Sequence, residues 1–314
     1  MQFLAVLIDS FRESRESRIF WIMLAGVILI LGFLASISFS DANLHLFFGL
    51  ISIDLTLPSL VIRDPGSLSD FVVTIIFEFV LGMVGMMLMV IATAHIIPSL
   101  MDTGVAGILL SKPISRGRLF VYKYISAMVF VFVQASIAVT GSFLIMGLRW
   151  GEWRPGYLLA VPTVVLIFSY IYCISALVGM KTRSAVASTL LSIVAWMVFS
   201  IVPTLPTLFE LDGLRKYKDY TSLYNTVVVV SWIPPKTSDT SYFIRRWSEL
   251  ANDQFDAFVA GNDASPEDQQ MAKDAKAIDE KLMDKSATAS IGSSLLFEFL
   301  VIGFCVWNFS RRDF

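Results

Sequence analysis

The sequence predicts an all-α membrane protein with six transmembrane helices, and three observations carry that prediction. Hydrophobic residues make up 56% of the 314 residues, and charged residues only 16%. The mean hydropathy is +0.71. Apolar runs of about 20 residues, the length that crosses a bilayer as a helix, recur along the chain. A soluble domain of this size carries more charge to cover its surface. The net charge of −2 gives no sign of nucleic-acid binding.

The spans fall at roughly 19–38, 71–95, 124–147, 157–180, 184–206 and 289–309. The first has an apolar core too long for a signal peptide and no small-residue cleavage site after it, so it is expected to stay as an anchored helix. Loop charges set the orientation. With the N-terminus inside, the cytoplasmic segments hold Arg12, Arg15, Arg18, the basic cluster of residues 96–123, Lys181, Arg183, Arg311 and Arg312. The short outer segments hold only Arg63, Arg149 and Arg154. That asymmetry predicts both termini in the cytoplasm.

Residues 1–18 place Phe3, Leu4, Leu7, Ile8 and Phe11 on one side and crowd Arg12, Glu13, Arg15 and Glu16 towards the first span. The pattern predicts an N-terminal amphipathic helix lying in the membrane interface. Residues 49–57 alternate apolar and polar and precede Pro58 and a second apolar run to Ile62, a strand and hairpin signal at the outer mouth. Residues 207–288, between spans five and six, hold ten basic and fourteen acidic residues. Trp247, Ala251, Phe255 and Phe258, then Met271, Ala275, Ile278 and Leu282, fall at helical spacing, so a helical exoplasmic insert is expected. A second possibility makes residues 221–233 a re-entrant or interfacial piece, too short to span alone. The chain thus divides into a transmembrane domain (1–206), the insert (207–288), and a sixth span with its tail (289–314).

The segment 96–123 interrupts two apolar spans without being polar throughout. Lys112, Arg116, Arg118 and Lys123 alternate with Ile108, Leu109, Leu110, Ile114, Leu119 and Phe120. One greasy and one positive face suit a segment at the cytoplasmic membrane surface that touches another protein.

Chemistry-bearing motifs are sparse. No GxxxxGK[ST] phosphate loop occurs, so the chain is not expected to bind and hydrolyse ATP itself. No Ser/His/Asp or HExxH pattern is present, and the His, Cys and carboxylate spacings match no zinc or iron site. Cys173 and Cys305 lie inside apolar spans. Gly82, Gly85, Gly141 and Gly147 suit close helix packing. His95 closes the second span as an interfacial hydrogen-bonding residue. Glu78 and Glu298 stand within spans two and six, each between phenylalanines. A lipid-facing carboxylate there costs about 2.5–3.5 kcal/mol, so both are expected to face protein or water, towards the middle or outer half of the bilayer. Two roles stay open. They can form a polar feature of a translocation path, or fix helix packing through hydrogen bonds to Gln134, Thr74 or Ser294.

The start at 15–31, the run Leu110-Ser111-Lys112-Pro113-Ile114-Ser115-Arg116 within residues 104–124, and the ending Asn308-Phe309-Ser310-Arg311-Arg312-Asp313-Phe314 resemble ABC-2-type ABC transporter permeases. The order and spacing of these pieces carry the resemblance, and the insert at 207–288 is longer than the family pattern. The resemblance implies a permease that pairs with a second permease subunit. A separate cytoplasmic ATPase would hold ATP and Mg, with no cofactor on this chain, in the plasma membrane of a prokaryote (the inner membrane if Gram-negative). It implies that the ATPase engages the loop after the second span. Leu109, Leu110, Ile114 and Leu119 would dock on the ATPase or the membrane, and Lys112, Pro113, Arg116 and Arg118 would complete the contact. The arginines would pair with acidic rims or anionic lipid headgroups. Two alternatives stand beside this: a proton-coupled secondary transporter using Glu78 and Glu298, and a non-transporting structural subunit of a membrane complex.

Overall fold

The structure is a computed structural model that describes residues 18–40, 43–54, 82–101, 114–151, 153–206, 220–238 and 286–311. Glu78, the amphipathic segment 1–17, Leu109, Leu110, Lys112, Pro113 and the helical stretches expected at 247–282 lie outside the described residues. Helix α1 (Arg18–Ser36) is apolar from Ile19 onward. It ends where the Ser36 hydroxyl turns back to donate to the Phe33 carbonyl, 2.6 Å away.

A three-stranded antiparallel sheet follows at once: β1 (Ser38–Ser40), β2 (Asn43–Leu46) and β3 (Ile51–Asp54), in that order. Phe39 pairs with Leu44 and Leu44 with Ile53. Of the strand expected at 49–57, Ile51–Asp54 is present, and its described partner lies upstream at 43–46. The reason is the turn. Phe47, Phe48 and Gly49 take φ of 51°, 59° and 94°, which reverses the chain within four residues. Left-handed backbone costs each phenylalanine roughly 1–2 kcal/mol, while Gly49 adopts it freely. The protein is thus a helical bundle that also carries a small sheet.

Among the described residues, five helices are long and apolar enough to cross a membrane: Gly82–Ser99, Arg116–Trp150, Pro155–Thr182, Ala185–Thr204 and Thr288–Ser310. Helix α1 is apolar but shorter by the same measure. The second span contains α2 (Met86–Thr93) and α3 (Ile96–Ser99), with a turn at Ala94–His95. The polar interruption expected from residue 96 starts later, because Ile96, Ile97, Leu100 and Met101 are all buried. Helix α4 (Arg116–Ile145) likewise starts eight residues before its expected boundary of 124. Its buried side chains recur every three or four positions: Leu119, Lys123, Ala127, Phe130, Gln134, Ala138 and Ser142. With its terminal turn Met146–Trp150, the span is 35 residues long, about 52 Å. That exceeds the roughly 30 Å hydrocarbon core, so α4 must tilt or protrude.

Helix α5 (Ala160–Thr182) is the centre of the bundle. It packs against α4, α6 (Ala185–Ile201) and α8 (Ala287–Ser310). Of its most apolar window 67% is buried, against 17% for the span of α6 and 22% for that of α8. Small residues set the approach of the helices. A Cβ on Gly179 would stand 2.7 Å from the Ser188 Oγ and 3.0 Å from Pro98, and one on Gly141 would stand 2.5 Å from Leu31. Arg183 takes a left-handed φ of 55° between α5 and α6, and Ser184 caps α6 by accepting from the Ala187 N–H.

Residues 221–233 form α7 (Tyr220–Ser231), 12 residues and about 18 Å long, too short to span. Pro234 and Pro235 end it, and the chain then turns into the bundle. Lys236 is buried, and its N–H donates to the Ser294 Oγ at 2.9 Å. The Thr237 and Ser200 hydroxyls lie 3.2 Å apart.

Candidate functional site

On α8 the residues Ser290, Ser294 and Glu298 recur at four-residue steps, so they share one face. All three are buried. Helix α5 presents Ser169 to that face, and α4 presents Tyr124. The Tyr124 hydroxyl lies 3.0 Å from Glu298 Oε1, and the Ser169 hydroxyl lies 2.9 Å from Oε2. Each hydroxyl also has a backbone acceptor. Tyr124 reaches the Ser169 carbonyl at 3.0 Å, and Ser169 reaches the Leu166 carbonyl at 2.8 Å. Two hydroxyl protons therefore serve four acceptors. An ionised Glu298 takes both protons, whereas a protonated Glu298 donates its own O–H to one hydroxyl, which turns its proton to its backbone carbonyl, and still accepts from the other hydroxyl. The cluster satisfies the carboxyl in either state, which is the chemistry a buried ionisable group in a membrane needs. Tyr172 stacks on Phe168 and approaches Tyr124, closing the site with apolar surface.

The partners differ from those expected for Glu298. Ser294 is engaged by the Lys236 N–H, one turn further towards α7. Gln134 is fully buried, and neither amide atom has a hydrogen-bond partner among the described residues. Glu298 lies 13 residues, about 20 Å, from Arg311 along α8, and Tyr124 lies eight residues, about 12 Å, from Arg116 along α4.

That basic half ends in a gathering of cations. Gly117 meets Val306 and Phe120 meets Phe309, so the starts of α4 and the end of α8 lie together. Pro98 meets Gly179, which brings the α5–α6 turn to the same end. Arg116, Arg118, Lys181, Arg183 and Arg311 are therefore at one end. The Trp150 indole N–H donates to the Ile37 carbonyl at the other, next to Arg149. Two arginines in the first turn of α4 oppose the helix dipole, at about 0.3–1 kcal/mol each, so helix stability does not explain them. Arg118 is exposed, Arg116 and Ile114 are half-buried, and Ile114 packs on the core. Leu119 corrects an expectation. At 2% exposure it faces the bundle and contributes to its core rather than to an outside contact.

Tyr124, Ser169 and Lys236 were not singled out from the sequence. The four-residue spacing of Ser290, Ser294 and Glu298 was legible, but hydroxyls in apolar helices are common, and only packing selects the pair that meets Glu298. Cys173 and Cys305 are buried free thiols. Among the described residues no group of three His, Cys, Asp or Glu side chains could hold a metal ion.

A helical bundle with several membrane-length apolar spans, a buried hydrogen-bonded carboxyl and cations gathered at one end defines a multi-pass membrane protein of the transporter class. A family model described as ABC-2 family transporter protein matches residues 4–314, and the chain belongs to that family. It is the membrane component of an ABC transporter, a permease. Comparison with curated proteins and with solved structures gives no match.

Proposed function

We propose that this permease works as one of two membrane subunits, moving a substrate across the plasma membrane of a prokaryote with ATP and Mg held by a separate cytoplasmic ATPase. The observation that carries this reading is the family match over nearly the whole chain. In this reading α1 is the first of six spans, the basic end is cytoplasmic together with both termini, and residues 207–288 are exoplasmic. Excess Lys and Arg at one end is the usual mark of the cytoplasmic side. The ATPase engages the segment between the second span and α4, centred on residues 112–118. Rigid coupling is plausible in mechanical terms, because Arg116 and Arg118 sit on the first turn of a helix whose next turn is locked into the core at Leu119 and Phe120. Force on the arginines is delivered to the helix that carries Tyr124.

The test is co-purification with the ATPase chain from the same cells. Stoichiometric recovery, with ATP hydrolysis lost in Arg116→Glu/Arg118→Glu while the permease stays folded, supports the reading. Retained hydrolysis and recovery in that double variant would remove the arginines from the coupling surface.

The Glu298 cluster favours one second reading, proton-coupled transport, since it accommodates both states of the carboxyl. Transport in proteoliposomes driven by a pH gradient without ATP, and lost in Glu298→Gln, would establish it against the ATP-driven reading.

A further inference from the structure

A cavity lies between α1, the second span and α4. Gly26, Ile30 and Leu34 of α1, Val84 and Leu88 of the second span, and Gln134 of α4 are among its lining residues. No charged residue is among those described there. Gln134 is eighteen residues from Arg116 and sixteen from Trp150, about 27 Å and 24 Å along the helix, so it stands near the middle of the span. Its amide is fully buried, and both the Nε2 and the Oε1 lack a hydrogen-bond partner among the described residues. A primary amide in apolar surroundings without partners is strongly unfavourable. The residue thus points to a guest that supplies both a donor and an acceptor.

Three properties of the cavity define that guest. The cavity volume is about 50 Å³, several times the roughly 10–15 Å³ that one water needs. Val84 and Leu88 on its wall are themselves exposed apolar side chains, the kind of surface that a span turns to lipid. The described lining residues offer no cation to an ionised head. A carboxyl group in its neutral form matches the amide on both atoms, donating its O–H to Oε1 and accepting from Nε2 through its carbonyl. A carboxylic acid at this depth is also neutral, because an ion there is costly.

We propose that this cavity is a binding site for a long-chain carboxylic acid that enters from the bilayer in its neutral form, with its carboxyl paired to the Gln134 amide and its chain against Gly26, Ile30 and Leu88. The site is independent of how the permease is driven, since none of its residues touches the basic end.

The experiment uses the full chain reconstituted in phosphatidylcholine vesicles with a diazirine-bearing palmitic acid, followed by peptide mapping of the photolabel. Label is expected on the peptides around Gly26 and Leu88, displaced by palmitic acid but not by its methyl ester, which cannot donate. Gln134→Leu keeps the shape of the cavity and removes both hydrogen bonds, so labelling falls roughly tenfold. Gly26→Leu offers an independent block: Gly26 lines the cavity, and a Cβ there meets no atom within 4 Å, so the branch point of the new side chain has room. It is expected to abolish the label at unchanged thermal stability. Labelling that persists in both variants, equal displacement by the methyl ester, or label confined to outward residues such as Leu29 and Phe33 would each overturn the assignment. A cavity that holds only water would show no displaceable label at all, which also overturns it.

Discussion

The Tyr124 hydroxyl stands 3.0 Å from the Oε1 of Glu298, across 174 positions of chain, and joins α4 to α8 beside the central α5. The contact links the helix that begins at the basic end to the last span. Interhelical hydrogen bonds in membrane proteins average about 0.6 kcal/mol and reach about 1.7. A double-mutant cycle of Tyr124→Phe and Glu298→Gln, read by unfolding in detergent, is expected to return a coupling energy in that range. Additive single effects would mean that the two side chains do not share the bond.

Gly179 is expected to tolerate no side chain. The Cβ of Gly179→Ala would lie 2.7 Å from the Ser188 Oγ and 3.0 Å from the ring of Pro98, so the serine must rotate and the proline must give way slightly. Overpacking of this kind costs about 1–3 kcal/mol. The melting temperature of the purified variant checks it, with Gly292→Ala, which meets no atom within 4 Å, as the neutral comparison.

Leu119 and Arg118 are neighbours with opposite expected phenotypes. Leu119→Ala opens a hole in the core and is expected to lower stability by about 2–5 kcal/mol. Arg118→Ala removes an exposed cation and is expected to leave the melting temperature within a degree or so while weakening recovery of the ATPase. Measuring both quantities on both variants separates folding from coupling.

Ser294 holds the returning end of the short α7 segment. Ser294→Ala leaves the buried Lys236 N–H without its acceptor, a loss of about 1–3 kcal/mol. The strain falls on one local segment, so the expected readout is faster proteolysis between residues 220 and 238. Uniform loss of stability with no change in cleavage there would contradict the tie.

Much of the helical bundle was legible because a bilayer imposes one rule, an apolar run of sufficient length, which composition displays directly. The described parts of the second to sixth spans were placed by it to within a few residues at most ends. The start of α4 was the exception. Arg116, Arg118 and Lys123 made the segment look like surface, yet Leu119, Phe120 and Lys123 are buried. Burial of a long basic side chain is decided by what packs around it, and charge count carries no such information. The sheet was half legible. The alternation at 49–57 was visible, but the partner strand at 43–46 depends on a left-handed pair of phenylalanines that no propensity favours.

By itself the sequence determined the class of protein, five apolar helices of membrane length, the basic asymmetry between the two ends and the family kinship, because hydropathy and loop charge are properties of single segments. Only the tertiary structure decided which polar groups meet. Glu298 found Tyr124 and Ser169 rather than Gln134 or Ser294, since the packing of α8 against α4 and α5 brings those hydroxyls to 3.0 and 2.9 Å. The same packing left the Gln134 amide facing an apolar cavity. Hydrogen bonds are short-ranged and directional, so partners in separate spans are chosen by the geometry of packing, which no periodicity within one span encodes.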